Sequence, residues 1–390
     1  MRRGSLLPLV IATMAAACSE PTVITIVLTP GSITLNAIGA TQQITATLTD
    51  QDGKPVTGVT VTWTSADPTI ASVSSSGLVR AEGAGSTSVT ASVGTSSSAQ
   101  TSVTVSPSNF EVELRNLTTL NAPQQRAFDE ARTRWRQIII GDVPDILLVA
   151  AAGTCGSNSP AINETVDDLV ILVTVEPIDG VGGTLGSAGP CYIRNSNQLP
   201  ILGRMRFDRD DLNQLEATGR LNDVILHEMG HVLGFGTLWT NFGYLENPSL
   251  PSNPGADTHF DGPQAIAAFN QVGGSSYTGG AKVPVENTQG GAGTRDSHWR
   301  ESVMDEELMT GFIESLGINP LSRVSLASMQ DLGYEVNLAR ADPYQKIFLA
   351  PPAGAASSGP ERQIWLGDDI HRGPLRAVGS RGEVVRVIRR

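Results

Sequence analysis

The chain is short of cysteine, of histidine and of charge. Three cysteines in 390 residues rule out a disulfide-dense scaffold, and five histidines make any spaced pair of them informative. Charged residues are only 17% of the chain, while 40% are hydrophobic. That balance is enough for real cores and suits an exported, β-rich protein better than a cytosolic helical one. Positive charge is scarce: Lys and Arg number 27 against 39 Asp and Glu, for a net charge of -12. Nucleic acid is therefore excluded as a partner, because holding a phosphate backbone requires a basic face. The acidity serves solubility and carries no function. A membrane-spanning run is lacking too: the one N-terminal apolar stretch, Leu6 to Ala17, falls short of the roughly 20 residues a spanning helix needs.

That stretch reads as a targeting segment. Arg2 and Arg3 precede it, and Ala15-Ala16-Ala17-Cys18 closes it, the pattern of a signal peptide over residues 1–18. Small residues before Cys18 resemble a bacterial lipobox, with Ala15 where Leu is usual. The resemblance implies lipidation of Cys18, a membrane anchor and a cell-surface, outer-membrane or periplasmic place. The plainer alternative is cleavage after an Ala-x-Ala site and secretion, with Cys18 an incidental thiol. Cys155 and Cys191 are expected to pair in one disulfide, as two cysteines in an exported chain do. A zinc role suits them less, since no second Cys stands near either.

Residues 22–106 form a block rich in Val, Ile and Thr. Alternating runs such as Ile44-Thr45-Ala46-Thr47-Leu48 are separated by turn clusters such as Ser74-Ser75-Ser76-Gly77. Short strands at regular spacing around one buried Trp, Trp63, predict a β-sandwich. Leu28-Thr29-Pro30, Trp63-Thr64-Ser65, Ile70-Ala71-Ser72-Val73 and Gly77-Leu78-Val79 make the block similar to the bacterial Ig-like modules of surface proteins. Its expected role is that of a spacer, because a fold alone supplies no function.

After a short linker at Ser106-Pro107-Ser108, residues 109–345 read as an α+β enzyme domain. Phe128, Ala131, Trp135 and Ile138 at helical spacing predict an amphipathic helix over Pro123–Ile140. Asp168–Val175 and Leu199–Phe207 read as strands, Leu221–Phe235 as a helix, and Ser325–Leu332 as a helix ended by Gly333. Residues 236–297 are rich in Gly, Pro and Asn. The tail, 346–390, receives no role from its sequence.

The helix at 221–235 carries the chemistry. His227-Glu228-Met229-Gly230-His231 places two imidazoles one turn apart on one face, where both reach a single ion. Neutral imidazole suits Zn²⁺, and a catalytic zinc keeps one position open for water. Glu228 beside that water can accept its proton and later pass it to a leaving amine. The apolar neighbours Val224, Ile225, Leu226, Val232 and Leu233 mark a core helix. The bland alternative, two histidines that cap buried hydrogen bonds, leaves a charged Glu228 in an apolar helix unexplained. Two histidines do not complete a site, since a catalytic zinc usually has three protein ligands. Gly234 continues a metzincin pattern, but Thr237 stands where a third His is expected. The third ligand must come from His259, His298 or His371.

The run from His227 to Phe235, with Ser297-His298-Trp299, Glu307-Leu308-Met309 and Met329-Gln330-Asp331-Leu332-Gly333-Tyr334, resembles the leishmanolysin family of zinc peptidases. That family interrupts the metzincin pattern with a long insertion before the third His. The resemblance implies one catalytic Zn²⁺ held by His227, His231 and His298, with Glu228 as general base. It also implies Met309 as the Met-turn floor, for which Met304 is the weaker candidate. The strand Ile201–Phe207 would lie at the edge of the catalytic sheet and pair with extended protein or peptide substrates. The whole reads as an N-terminal all-β Ig-like sandwich followed by a metzincin-type zinc endopeptidase. The alternative is a surface adhesion or binding lipoprotein whose metal domain turns over little.

Overall fold

The computed structural model describes residues 25–35, 39–94, 97–105, 110–345 and 363–389. Cys18, the signal segment, the linker at 106–108 and residues 346–362 lie outside them. The chain divides into two compact units, Met1–Pro107 and Ser108–Arg390.

The first unit is all β. Ser32–Leu35, Ser97–Val105, Gly85–Val93 and Thr62–Ser65 form a four-stranded sheet, and Thr41–Gln43, Leu78–Ala81 and Ala71–Val73 a three-stranded one. A further pair joins Thr25–Thr29 to Thr45–Thr49. Period-two alternation decides the faces: along Leu78–Ala81, Val79 and Ala81 turn inward while Leu78 and Arg80 face water. One apolar cluster that includes Ile33, Ile44, Val79, Val89 and Val103 joins the strands. Trp63 differs from expectation. It is half-buried and packs on the edge of this cluster. Its ring lies over Gly77, where a Cβ would come within 2.7 Å of it.

The second unit is built on a six-stranded mixed sheet: Val112–Asn116 (β1), Leu169–Glu176 (β2), Gly186–Arg194 (β3), Pro200–Asp208 (β4), Leu375–Val378 (β5) and Val384–Ile388 (β6), in the order β1-β2-β4-β3-β5-β6. β1, β2 and β4 run parallel, and β3 pairs antiparallel with β4 and parallel with β5. Every residue of β2 up to Val175 is buried, as for a parallel strand covered on both faces. The strand Ile201–Phe207 is β4. It is not an edge: β2 flanks it on one side and β3 on the other. Its backbone groups are spent on two neighbours, so no peptide can add to it. β3 has too many small residues in Gly186–Pro190 to show an apolar alternation. It lies beside β4 and separates it from β5 and β6.

Two helices share one face of the sheet. Ala122–Ile138 (α1) starts with a capping box, Asn121 Oδ1 accepting from Gln124 N at 2.8 Å and Gln124 Oε1 from Asn121 N at 3.2 Å. It buries Phe128, Ala131, Trp135 and Ile138, and Trp135 Nε1 donates to the Leu226 carbonyl at 3.0 Å. That bond ties α1 to Leu221–Leu233 (α3), which follows the short helix Arg209–Thr218 (α2). Gly203 on β4 lets α3 lie close to the sheet, because a Cβ there would collide with Val232. On the far side of the sheet Cys155 is joined to Cys191 by the expected disulfide, with Cα atoms 5.5 Å apart.

The stretch 236–297 carries structure of its own. Pro263–Gln271 (α4) packs on Arg323–Asp331 (α5), whose Asp331 carboxylate accepts from the first amides of α4, Gln264 N and Ala265 N, both at 2.9 Å. The described part of the tail joins the second unit: Gln363–Trp365 pairs with Phe312–Glu314, and β5 and β6 extend the sheet. Composition sets the tail apart at 345; packing does not.

Candidate metal centre

His227, His231 and His298 converge. Their Nε2 atoms are 2.8 Å (His227–His231), 2.9 Å (His231–His298) and 3.2 Å (His227–His298) apart, and all three rings are fully buried. Each ring is fixed from behind by a backbone carbonyl at its Nδ1: Leu308 O at 2.7 Å, Phe235 O at 2.9 Å and Thr294 O at 2.9 Å. A carbonyl accepts only, so every Nδ1 carries the proton and every Nε2 presents a lone pair inward. Three lone pairs at this separation repel unless a cation sits among them. Donor atoms on a tetrahedral ion about 2.0 Å away stand roughly 3.3 Å from one another, close to the spacing here. Burial pushes the pKa values of His227 and His231 down, which keeps both in the ligating, neutral form. On His298 burial also opposes charge, but the Asp369 carboxylate outweighs it and draws the pKa up. The Nε2 atoms of His227 and His231 face each other at 2.8 Å with both Nδ1 protons already spent on carbonyls, so the residues present fit a metal ion.

α3 supplies two of the rings through its i, i+4 spacing. Gly234, with φ +114°, ends it, and Thr237 Oγ1 donates to the His231 carbonyl at 2.8 Å. The residue that breaks the metzincin spacing is thus a cap on α3. His298 returns to the site on a frame of buried carboxylates. Glu286 accepts from Asn287 N, Thr288 N, Gln289 N and Glu301 N. Asp296 accepts from Ser249 N, Ser249 Oγ and Leu250 N. The next residue, Trp299, stacks on Trp239 at 4.9 Å and meets Phe235 edge-on at 5.2 Å. Met309 lies under the helix between the two histidines: a Cβ on Gly230 would stand 2.9 Å from its Cε. Glu307 shapes that turn by accepting from Met309 N at 2.6 Å, Ser322 N at 3.0 Å and Ser325 Oγ at 2.5 Å. Met304 sits elsewhere, its carbonyl accepting from Tyr344 Oη.

Glu228 is fully buried, and neither of its carboxylate oxygens has a hydrogen-bond partner. Burial first, then the charge of Asp369, holds its pKa well above the usual carboxylate range. A buried, unpartnered carboxylate is costly, so Glu228 is the orphaned polar group of this site. His259 lies outside the cluster, with Nδ1 donating to the Asp257 carbonyl at 2.6 Å. His371 also stands apart from the triad, its backbone N donating to the Ala188 carbonyl. Sequence reasoning does not reach Asp369. Its Oδ2 is 3.1 Å from His298 Nε2 and 3.5 Å from His227 Nε2, and it joins the three histidines in one buried group. No local motif separates Asp369 from the other aspartates of the chain.

Two family models match the sequence. Residues 22–105 match the bacterial Ig-like domain (group 2) and residues 157–345 match leishmanolysin. A leishmanolysin homolog of Crithidia fasciculata is 26% identical over 178 residues, or 45% of this chain; the match spans 26% of that relative's length. Among solved structures, domains 1-6 of the surface layer protein SbsC are 29% identical over 23% of this chain and 14% of that one, with a TM-score of 0.21. Domains 4 and 5 of the S-layer protein SbsC are 31% identical over 22% of this chain and 54% of that one, with a TM-score of 0.20. The chain thus joins a bacterial Ig-like domain at residues 22–105 to a leishmanolysin domain at residues 157–345.

Proposed function

We propose that the second unit is a zinc-dependent endopeptidase acting on extracellular proteins, with His227, His231 and His298 as the metal ligands. The leishmanolysin match supports a metallopeptidase, and the inward-facing lone pairs of three buried imidazoles support zinc. Zn²⁺ held there would supply the Lewis acidity that acidifies a water and polarises a peptide carbonyl. Glu228 is the general base: it takes the water's proton as the oxygen attacks the carbonyl carbon, then delivers that proton to the leaving amine as the C–N bond breaks. Its unpartnered oxygens support this role. Met309 is the floor that holds the two helix histidines apart from below. The Nδ1–carbonyl bonds fix ring orientation and keep the ligands basic. The Ig-like module is a spacer, and Cys18 a lipid anchor that places the enzyme at the cell surface. Among the described residues, no helix is long and apolar enough to cross a membrane.

The orphaned Glu228, next to His227 on α3, carries this reading. The test is cleavage of casein by chains carrying one zinc each, comparing Glu228→Ala with its parent in the natural chain and in an Asp369→Ala background. Cleavage that depends on Glu228 in either background is expected. Stoichiometric zinc with no Glu228-dependent cleavage in both would sink the endopeptidase.

A further inference from the structure

The outer margin of β3 is shared between two parts of the tail. Its end, Tyr192–Arg194, pairs with β5. Upstream, where an extended peptide could add to the sheet beside the metal centre, Ala188 N donates to the Asp369 carbonyl at 2.7 Å and His371 N donates to the Ala188 carbonyl at 2.8 Å. Those are the donor and acceptor that an incoming strand would use. Between them the Asp369 side chain turns inward to His298 and His227. It is fully buried, and beyond these imidazoles its oxygens meet no hydrogen-bond donor. The three histidines and Asp369 therefore make a group of four mutually close donors, the number that closes a tetrahedral zinc.

The segment is anchored on both sides of Asp369. Gln363–Trp365 adds to Phe312–Glu314, Trp365 Nε1 donates to Thr294 Oγ1 at 3.1 Å, and Thr294 Oγ1 donates to the Gly367 carbonyl at 3.1 Å. Thr294 also offers the carbonyl that orients His298. Gly293 leaves the room that Asp368 occupies, since a Cβ there would collide with it. Leu366 is fully buried and Ile370 nearly so.

We infer that the tail segment Trp365–His371 is a built-in plug, with Asp369 as the fourth protein ligand of the metal. This rests on the metal reading of the histidine triad. A carboxylate in the fourth position leaves none for water, and the tail bridged to β3 at Ala188 occupies the edge a substrate would use. Four protein ligands and no open position are the mark of a closed, unreactive zinc. The folded chain is a latent form, and hydrolysis requires the segment to leave β3. No bond is made or broken in that release: the Asp369 oxygen departs and a water takes its place.

The experiment uses the full chain loaded with Co²⁺ in place of zinc, in the natural sequence and as Asp369→Asn and Asp369→Ala. Acetohydroxamate is the probe of an open position, read by the visible absorption of the cobalt. The natural chain is expected to show no change on adding the probe, whereas both variants change spectrum. Both should also release metal to a chelator faster, by about tenfold or more, as losses around a bound metal do. Asp368→Asn, on the exposed neighbour, should behave as the natural chain. A natural chain whose cobalt answers the probe like Asp369→Ala overturns the plug. No cobalt in any form overturns the metal reading and the plug together. A variant that gains the probe response yet cleaves no casein supports the plug and removes the endopeptidase instead.

Discussion

Gly236 and Ser297 stand backbone against backbone: a Cβ on Gly236 would collide with the Ser297 carbonyl oxygen, carbon and Cα. Gly236 also has a φ of +69°, so both its conformation and its lack of a side chain serve one purpose. They let the residue before His298 press against the turn that follows α3. That contact closes the detour through residues 236–297 and brings the third imidazole within 2.9 Å of His231.

Gly236→Ala is therefore expected to act on the metal before it acts on the fold. Ser297 must retreat, and His298 moves with it. Zinc affinity should fall by about 10–100-fold, the scale on which misplaced supporting groups act. The strained φ and the lost contact should cost about 1–3 kcal/mol of stability. Competition with a chromogenic chelator measures the first and thermal unfolding of the metal-free chain the second. Unchanged affinity would show that His298 is positioned without Gly236.

Glu301 gives the second unit a pH dependence that can be assigned. It is 2% exposed, its Oε2 has no hydrogen-bond partner, and Asp305 and Glu314 carboxylates share its site. Burial pushes its pKa up to about 8, against hydrogen bonds from Thr310 and Gln363 that favour the charged form. The folded state thus binds this proton more tightly than the unfolded chain, whose carboxyl titrates near its ordinary value. Stability is unaffected below the unfolded pKa and declines as pH rises toward 8, by an amount on the order of a few kcal/mol. Glu301→Gln keeps an acceptor for Gln363 and offers an amide donor to the neighbouring carboxylates. Its melting temperature should match the natural chain near pH 4 and exceed it near pH 9. A difference that stays constant over that range would show that Glu301 is not the titrating group.

What could be read in advance divides by range along the chain. The spacing of His227 and His231, the apolar stripe of α1 and the unbroken apolar run of β2 are local patterns, and each falls where the sequence puts it. His298 is reachable only through a family resemblance. Its position depends on Glu286, Asp296 and Gly236, whose partners are distant in sequence. Strand order is less legible still. Ile201–Phe207 looks like an outer strand until Gly186–Arg194, which lacks an apolar alternation, is seen to lie beside it. Asp369 is the extreme case: its place beside the histidines exists only because the tail pairs with Ala188.

His298 and His259, both outside the motif, differ sharply in their surroundings. His298 is buried against His227 and His231, whereas His259 is partly exposed, with its Nδ1 on the Asp257 carbonyl and Asp257 paired in turn with Lys282. If zinc is bound by the folded triad, it stabilises that fold by mass action, by about 2.7 kcal/mol at a free concentration 100 times Kd. A chelator should then lower the melting temperature of the natural chain and of His259→Ala alike. His298→Ala should bind little zinc, melt near the chelated natural chain, and show no further drop when chelator is added. The pair of readings separates ligand loss from ordinary damage. A merely destabilised protein still responds to the chelator, while one without its third ligand has no metal to lose. One zinc per chain in His298→Ala, with the chelator response intact, would remove His298 from the ligand set.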